Sequence, residues 1–288
     1  MKKILSAALA GAAFLCAQIT WSCVVADDMG HSVVLDHPAQ RMVVLAPDLV
    51  EDLFAIGAGD RIVGVIQGSD YPLAARSIDL VGSYAGLDLE KIVALQPDLI
   101  VTWKYAFPRQ ISALRRLGFQ VYVTSPRLLQ DVPVLLRKFG CLTGKMKQAH
   151  ARAEQFDHHI EMLRQQYQTH KLLKVFYLVD ARAMITVNQD SWINQVIELC
   201  GGKNIFADAR VISPEVSRES VILKNPDAIF YNSKNNDWQS SFKQWPVIAA
   251  VKNQQMYSID PDLIARSGPR LVLGAELLCQ KLERARTG

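Results

Sequence analysis

The chain has 288 residues, half of them hydrophobic, enough to bury large cores as one big domain or two of ordinary size. Its formal charge of +4 is mild, and no Lys/Arg cluster follows a phosphate backbone, which argues against a nucleic-acid partner. Beyond the N-terminus no stretch is long and apolar enough to span a bilayer as a helix.

Residues 1–17 read as a cleaved signal peptide: Lys2 and Lys3 form the charged region and Ile4 to Ala17 the apolar one. The cut falls between 17 and 26. The earlier site, releasing Gln18, is preferred because Val24 to Gly30 followed by Ser32 to Leu35 reads as a hairpin. Export as a free periplasmic protein is favoured over lipid anchoring at Cys16 or Cys23, since neither cysteine follows a good lipobox. An oxidising compartment permits disulfides. Cys23, Cys141, Cys200 and Cys279 then allow three pairings. Cys200 and Cys279, both in the second half, are the expected pair, and the state of Cys23 and Cys141 is left open.

A buried strand is predicted at 42–46. Pro47-Asp48 opens a helix through Leu49, Leu53 and Ile56, which Gly57 and Gly59 stop. A second strand at 61–66 leads into the loop Gly68 to Pro72. A third strand ends at Trp103, and a helix over 108–117 precedes a fourth at 120–124. Residues 145–171 contain neither proline nor glycine and read as one helix of roughly 40 Å. The alternation then restarts, with a strand at 174–179, a helix at 191–200, strands at 227–231 and 255–258, and a last helix over 270–285. The expected fold is α/β: two Rossmann-like lobes with parallel sheets, over 18–144 and 172–288, joined by one long rigid helix at 145–171.

A repeat supports the two-lobe plan. Glu90, an apolar run through Ile92, Val93 and Leu95, then Pro97-Asp98 and Leu99-Ile100-Val101 match Glu219, Val221-Ile222-Leu223, Pro226-Asp227 and Ala228-Ile229-Phe230. In both copies the glutamate precedes the proline by seven residues. Proline ends a two-turn helix and a buried strand follows. Each glutamate opens its helix, where the dipole favours an acid. Their matched positions also suit docking onto basic pockets of a symmetric partner.

No G-x-S-x-G, H-E-x-x-H, P-loop or dinucleotide motif is present, and no residues are assigned a catalytic role. Glu154 and His158 form a candidate two-ligand metal face, which with acids near the cleft gives a metal-dependent enzyme as a remote alternative, but the pair reads better as a solvated helix surface, and no metal ligands are assigned. His31 and His37 flank the hairpin as surface residues. Open α/β sheets bind at strand C-termini. That rule gathers Ser69, Asp70, Tyr71, Tyr84, Trp103, Lys104, Tyr105 and Phe107 from the first lobe with Arg182, Asp262 and Arg266 from the second. Aromatics facing charged groups suit a large, ring-rich cargo with polar or anionic edges.

These residues carry a resemblance. Ser69-Asp70-Tyr71-Pro72, Leu89 to Leu99, Cys200-Gly201-Gly202-Lys203-Asn204-Ile205-Phe206, Val216 to Glu219, and Pro269-Arg270 leading to Leu278-Cys279 resemble the helical-backbone solute-binding proteins of ABC importers. Within them they resemble the periplasmic cobalamin-binding branch. The resemblance implies a monomeric receptor with no cofactor, its metal arriving only inside the cargo. It also implies a dimeric inner-membrane permease that receives Glu90 and Glu219. Cys200 and Cys279 match that branch's disulfide, Trp103 its pocket tryptophan, and Tyr84 a second pocket aromatic. Val179, Ile185, Ser213 and Gly68 stand where that branch has aromatics. Lys104, Arg182 and Arg266 would suit a more anionic cargo such as a ferric siderophore, and Tyr84 or Tyr105 a haem iron.

Overall fold

The computed structural model describes residues 21–167, 170–235 and 237–287. The expected leader, with Cys16, lies outside the described residues. A hairpin of β1 (Cys23–Ala26) and β2 (Ser32–Leu35) comes first, burying Cys23, Val25, Val33 and Leu35 on one face. The first lobe follows with β3 (Met42–Val44), α1 (Pro47–Ala55), β4 (Ile62–Val65), the short ribbon β5 (Gly82–Ser83) and β6 (Gly86–Leu87), and α2 (Leu89–Ala94). β7 (Leu99–Trp103), α3 (Pro108–Arg116), β8 (Val121–Thr124) and α4 (Asp131–Thr143) complete it. Then come α5 (Met146–Tyr167), β9 (Leu173–Leu178), α6 (Trp192–Leu199), β10 (Gly202–Asn204), α7 (Arg218–Lys224) and β11 (Ala228–Asn232). The described chain closes with α8 (Ala249–Lys252), β12 (Met256–Ile259), α9 (Pro261–Ile264) and α10 (Leu271–Thr287).

Two four-stranded parallel sheets result, ordered β4-β3-β7-β8 and β10-β9-β11-β12. In each, the second strand lies outside the first and the third and fourth follow on the other side, so the lobes repeat one topology. The repeated segment is the helix and third strand of each lobe, α2–β7 and α7–β11. Its proline-linked aspartates act alike. Asp98 accepts the backbone N–H groups of Gln40 and Arg41 at 2.6 and 3.0 Å, and Asp227 accepts that of Lys174 at 2.7 Å. Arg41 and Lys174 in turn donate side-chain hydrogens to carbonyls at the ends of α2 and α7, Leu95 and Lys224. Each Pro-Asp therefore clamps the start of the lobe's first strand.

Strand alternation sorts the core. Met42, Val44, Leu99 and Val101 share one cluster with Val175, Tyr177, Ala228 and Phe230, while Val43, Ile100 and Val123 on one sheet and Phe176, Leu178 and Ile229 on the other line separate outer cores. The shared cluster runs between lobes through α5, whose Ala149, Ala153, Phe156, Ile160, Leu163 and Tyr167 form one buried stripe. α5 packs on α4 of the first lobe and on α6 and α10 of the second. It is shorter than the helix expected over 145–171: its 22 residues span about 33 Å, and β9 begins at Leu173.

The sequence reading also passed over α4, which contains Pro133 and Gly140. Pro133 falls in the first turn, where a missing N–H is harmless. A Cβ on Gly140 would lie 2.5 Å from that of Ala149, so glycine is what lets α4 and α5 approach. The structure holds the expected disulfide and settles the pair that the sequence left open. Cys200 and Cys279 are bonded, with Cα atoms 4.7 Å apart, and Cys23 and Cys141 are bonded as well, at 5.8 Å. The hairpin lies on α4, which brings the start of β1 against Cys141.

Candidate functional site

The floor between the lobes is built from one turn of α1. Asp48, Glu51 and Asp52 fall at i, i+3 and i+4 and are all buried, against the rule that such groups face water. Asp48 accepts the Trp103 indole N–H, at 3.1 Å to each oxygen, and the Ser267 hydroxyl at 3.1 Å. Burial raises its pKa to about 6, although those hydrogen bonds pull the other way. Glu51 pairs through Oε1 with Arg266 at 2.6 Å and Arg270 at 3.1 Å. Burial outweighs the two guanidiniums and still raises its pKa. Asp52 has no hydrogen-bond partner on either oxygen among the described residues, and burial, with Asp48 and Glu51 adding to it, raises its pKa well above the usual value. A Cβ on Gly268 would meet its Oδ1 at 2.7 Å, so only glycine lets the second lobe close onto it.

Several predicted ligand residues converge on this floor. Arg266 crosses from the second lobe to Asp70 at 3.3 Å and pairs with Asp262 of its own lobe at 2.7 Å; Asp262 also binds Lys234. The Arg270 guanidinium lies 3.8 Å from the Tyr71 ring centroid. Ser69 is buried beside them in sequence, its hydroxyl without a partner among the described residues. Trp103 meets Trp192 of the second lobe edge to face at 6.2 Å, and Trp192 donates its indole N–H to Ile264 O at 2.9 Å. Arg266, with three carboxylates around it, is thus a bridge between lobes, not the open cation that an anionic cargo would need.

Above the floor, Tyr84 is 65% exposed and stacks on Phe107 at 6.1 Å and 11°. Phe107 belongs to the first lobe's outer core at 8% exposure, so it supports Tyr84 from beneath instead of presenting its own face. Tyr105 is 74% exposed with Lys104 over its ring, and Lys104 faces a separate cavity between α3 and the β1–β2 turn. Arg182 lies exposed on the loop that Asp180 caps by accepting the N–H groups of Arg182 and Ala183. These last three are not tied to the floor by any contact among the described residues.

Glu90 and Glu219 hold matching places, each exposed at the second position of its helix. Asp88 caps α2 by accepting Lys91 N–H, and Ser217 caps α7 by accepting Ser220 N–H. Glu154 and His158 lie on the exposed side of α5, and among the described residues no three His, Cys, Asp or Glu side chains gather as a metal would require.

The sequence reading missed Asp48, Glu51, Asp52, Trp192, Ser267 and Arg270. One signal was available for the first three: acids at i, i+3 and i+4 interleaved with Leu49, Val50 and Leu53 leave no polar face for water.

A family model for periplasmic binding proteins matches residues 42–263. The chain belongs to the periplasmic binding protein family. Among the members of this family, a vitamin B12-binding protein of Vibrio cholerae is 33% identical over 250 residues, covering 86% of this chain and 91% of the relative. One from Yersinia pestis is 33% identical over 251 residues, covering 85% and 86%. The crystal structure of the periplasmic vitamin B12 binding protein BtuF of Vibrio cholerae superposes with a TM-score of 0.79 at 32% identity, over 87% of this chain and 99% of that one. A periplasmic heme-binding protein, RhuT of Roseiflexus sp. RS-1, shares the fold at a TM-score of 0.75 and 23% identity, over 86% and 99%. In the terms of this periplasmic binding protein family, the floor of buried acids and arginines is where the two lobes meet, and the aromatic shelf stands at its edge.

Proposed function

We propose that this protein is an exported, non-enzymatic receptor of an ABC importer that captures cobalamin or a related corrinoid between its lobes and hands it to a permease dimer. The observation that supports this most directly is the aromatic shelf of Tyr84 and Trp103 over a charge-matched inter-lobe floor, in a chain 33% identical to vitamin B12-binding proteins over most of its length. Ring faces and apolar walls suit a macrocycle. The cations that would favour an anionic ferric siderophore are either engaged, as Arg266 is, or set apart, as Lys104 is. Val179, Ile185, Ser213 and Gly68 leave the shelf thinner than in the cobalamin-binding pattern.

The lobes at 18–144 and 172–288, with the connecting segment 145–171, would move little against each other, because the apolar core is continuous through α5. Of the predicted ligand residues, Ser69, Asp70, Tyr71, Tyr84 and Trp103 would face the cargo, Phe107, Asp262 and Arg266 would support them, and Lys104, Tyr105 and Arg182 stand apart from the floor, with Glu90 and Glu219 for the permease. Metal enters only as part of the cargo. The test is calorimetric titration of the purified mature protein with cyanocobalamin, haemin and a ferric catecholate. Saturable binding of cyanocobalamin with the other two silent is expected. Binding of haemin or the catecholate alone would reject the corrinoid.

A further inference from the structure

A cavity of about 420 Å³ opens at the edge of the first lobe, walled by α3, the ends of β7 and β8, and the turn between β1 and β2. Buried Ile111 and Val123 line it together with the more exposed Met29 and Pro108, and three of its lining side chains are cationic, Lys104, Arg115 and Arg116. Among the described residues no acidic side chain lines it. Arg115 is spoken for: it donates to Asp27 at 2.7 Å and to Val121 O at 3.2 Å, and faces His31 Nδ1 at 3.3 Å. Lys104 and Arg116 are not. Lys104 lies 5.6 Å from the Tyr105 ring centroid, Arg116 meets the Ser112 hydroxyl at 3.4 Å, and among the described residues neither has a carboxylate within ion-pair reach. Independently, Thr102 lines the same cavity, is fully buried, and has a hydroxyl with no hydrogen-bond partner among the described residues. A buried hydroxyl left unpaired is costly, and an anionic oxygen is the strongest acceptor that could satisfy it.

We propose that this cavity binds a small organic anion, a phosphate monoester or carboxylate on an apolar body, with Lys104 and Arg116 holding the charge and Thr102 donating a hydrogen bond. Trp103 and Lys104 belong both to this cavity and to the predicted ligand set, so the anion can arrive free or as an acidic arm of the cargo. The site itself does not depend on what the cargo is.

Phenyl phosphate, titrated by calorimetry or followed by saturation-transfer NMR, supplies the test. The wild type should bind it, Lys104→Gln with Arg116→Gln should weaken binding by about tenfold or more, and Thr102→Val should weaken it several-fold. The two glutamine changes fall at accessible positions outside the cores, so unaltered melting is expected. Absence of binding to the wild type, or binding that the double variant retains in full, overturns the proposal. Repeating the titration with cyanocobalamin at saturation separates the sources: displacement assigns the site to an arm of the cargo, simultaneous binding to a free anion. Because phenyl phosphate reports without any corrinoid, failure to bind cobalamin would leave this measurement intact.

Discussion

The indole N–H of Trp103 points at Asp48, 3.1 Å from both carboxylate oxygens, and the same carboxylate accepts the hydroxyl of Ser267 from the opposite lobe. The aromatic at the end of β7 is therefore oriented by an acid that also ties the lobes together. A group this buried stays ionised only against its desolvation penalty, which the hydrogen bonds partly offset.

That penalty makes stability depend on pH in an unusual direction. Raising a carboxyl from 3.8 to about 6 corresponds to roughly 3 kcal/mol. Between those values the folded state holds more protons than the unfolded one, so this group's contribution is complete below pH 3.8 and lost as pH rises through about 6. Asp48→Asn keeps an acceptor for Trp103 and Ser267 but removes the titration. In urea unfolding, the wild type should gain about 2 kcal/mol relative to D48N between pH 7 and pH 4. A difference that stays flat or shrinks over that interval would reject the assignment.

The Glu51 cluster should respond to truncation far more than an exposed ion pair would. Glu51 is 3% exposed and its Oε2 has no partner among the described residues, so removing Arg266 leaves a buried charge supported by Arg270 alone. Arg266→Met is expected to lower stability by on the order of 3 kcal/mol. Combining it with Glu51→Leu should recover much of that loss, since a buried pair replaced by apolar groups is often neutral. A single-variant effect below about 0.5 kcal/mol would show that the bridge adds nothing to the interface.

The two disulfides are distinguishable by what they close. Cys23 and Cys141 lie 118 positions apart and fasten the N-terminal hairpin to α4, whereas Cys200 and Cys279 lie 79 apart and fasten α6 to α10 inside the shared core. By loop entropy, replacing Cys23 and Cys141 with alanine has an upper limit of roughly 5 kcal/mol. Thiol labelling of the unfolded, unreduced protein should modify none of these four cysteines. Labelling at Cys23 or Cys141 would show that the hairpin is not stapled.

The fold was legible because its signals are local. Val43, Leu45 and Ile100 sit in short apolar runs between turn residues, and the matched glutamates and Pro-Asp pairs announce two lobes. The Cys23–Cys141 bond was hidden because pairing depends on where a hairpin lands, and the helix carrying Cys141 includes two residues usually read as helix breakers. At the candidate site, position relative to the strand ends is what put Trp103, Tyr84 and Arg266 in one expected set. It did not say that Arg266 would be neutralised by Glu51, Asp70 and Asp262, two of them from the opposite lobe. Charge matching across an interface has no period in the sequence.

The matched glutamates make the sharpest separation between cargo and carrier. Glu90 and Glu219 are exposed and stand clear of the floor. Their helices are capped by Asp88 and Ser217, so neither acid is needed to start its helix. A hydrogen bond from the backbone at Glu219, followed by one from the Ser217 hydroxyl, holds that carboxylate's pKa below the usual value. Changing both to lysine opposes the dipole of two short helices, a small loss for exposed groups, while inverting the charge offered to a permease. Thermal melting and cyanocobalamin affinity of Glu90→Lys with Glu219→Lys should stay close to wild type, and uptake into cells that rely on this receptor should be abolished. The single variants should each retain part of the uptake, because one lobe still docks. If affinity falls in proportion to uptake, the acids act on the cargo; if uptake survives the double change, the permease reads some other surface of the two lobes.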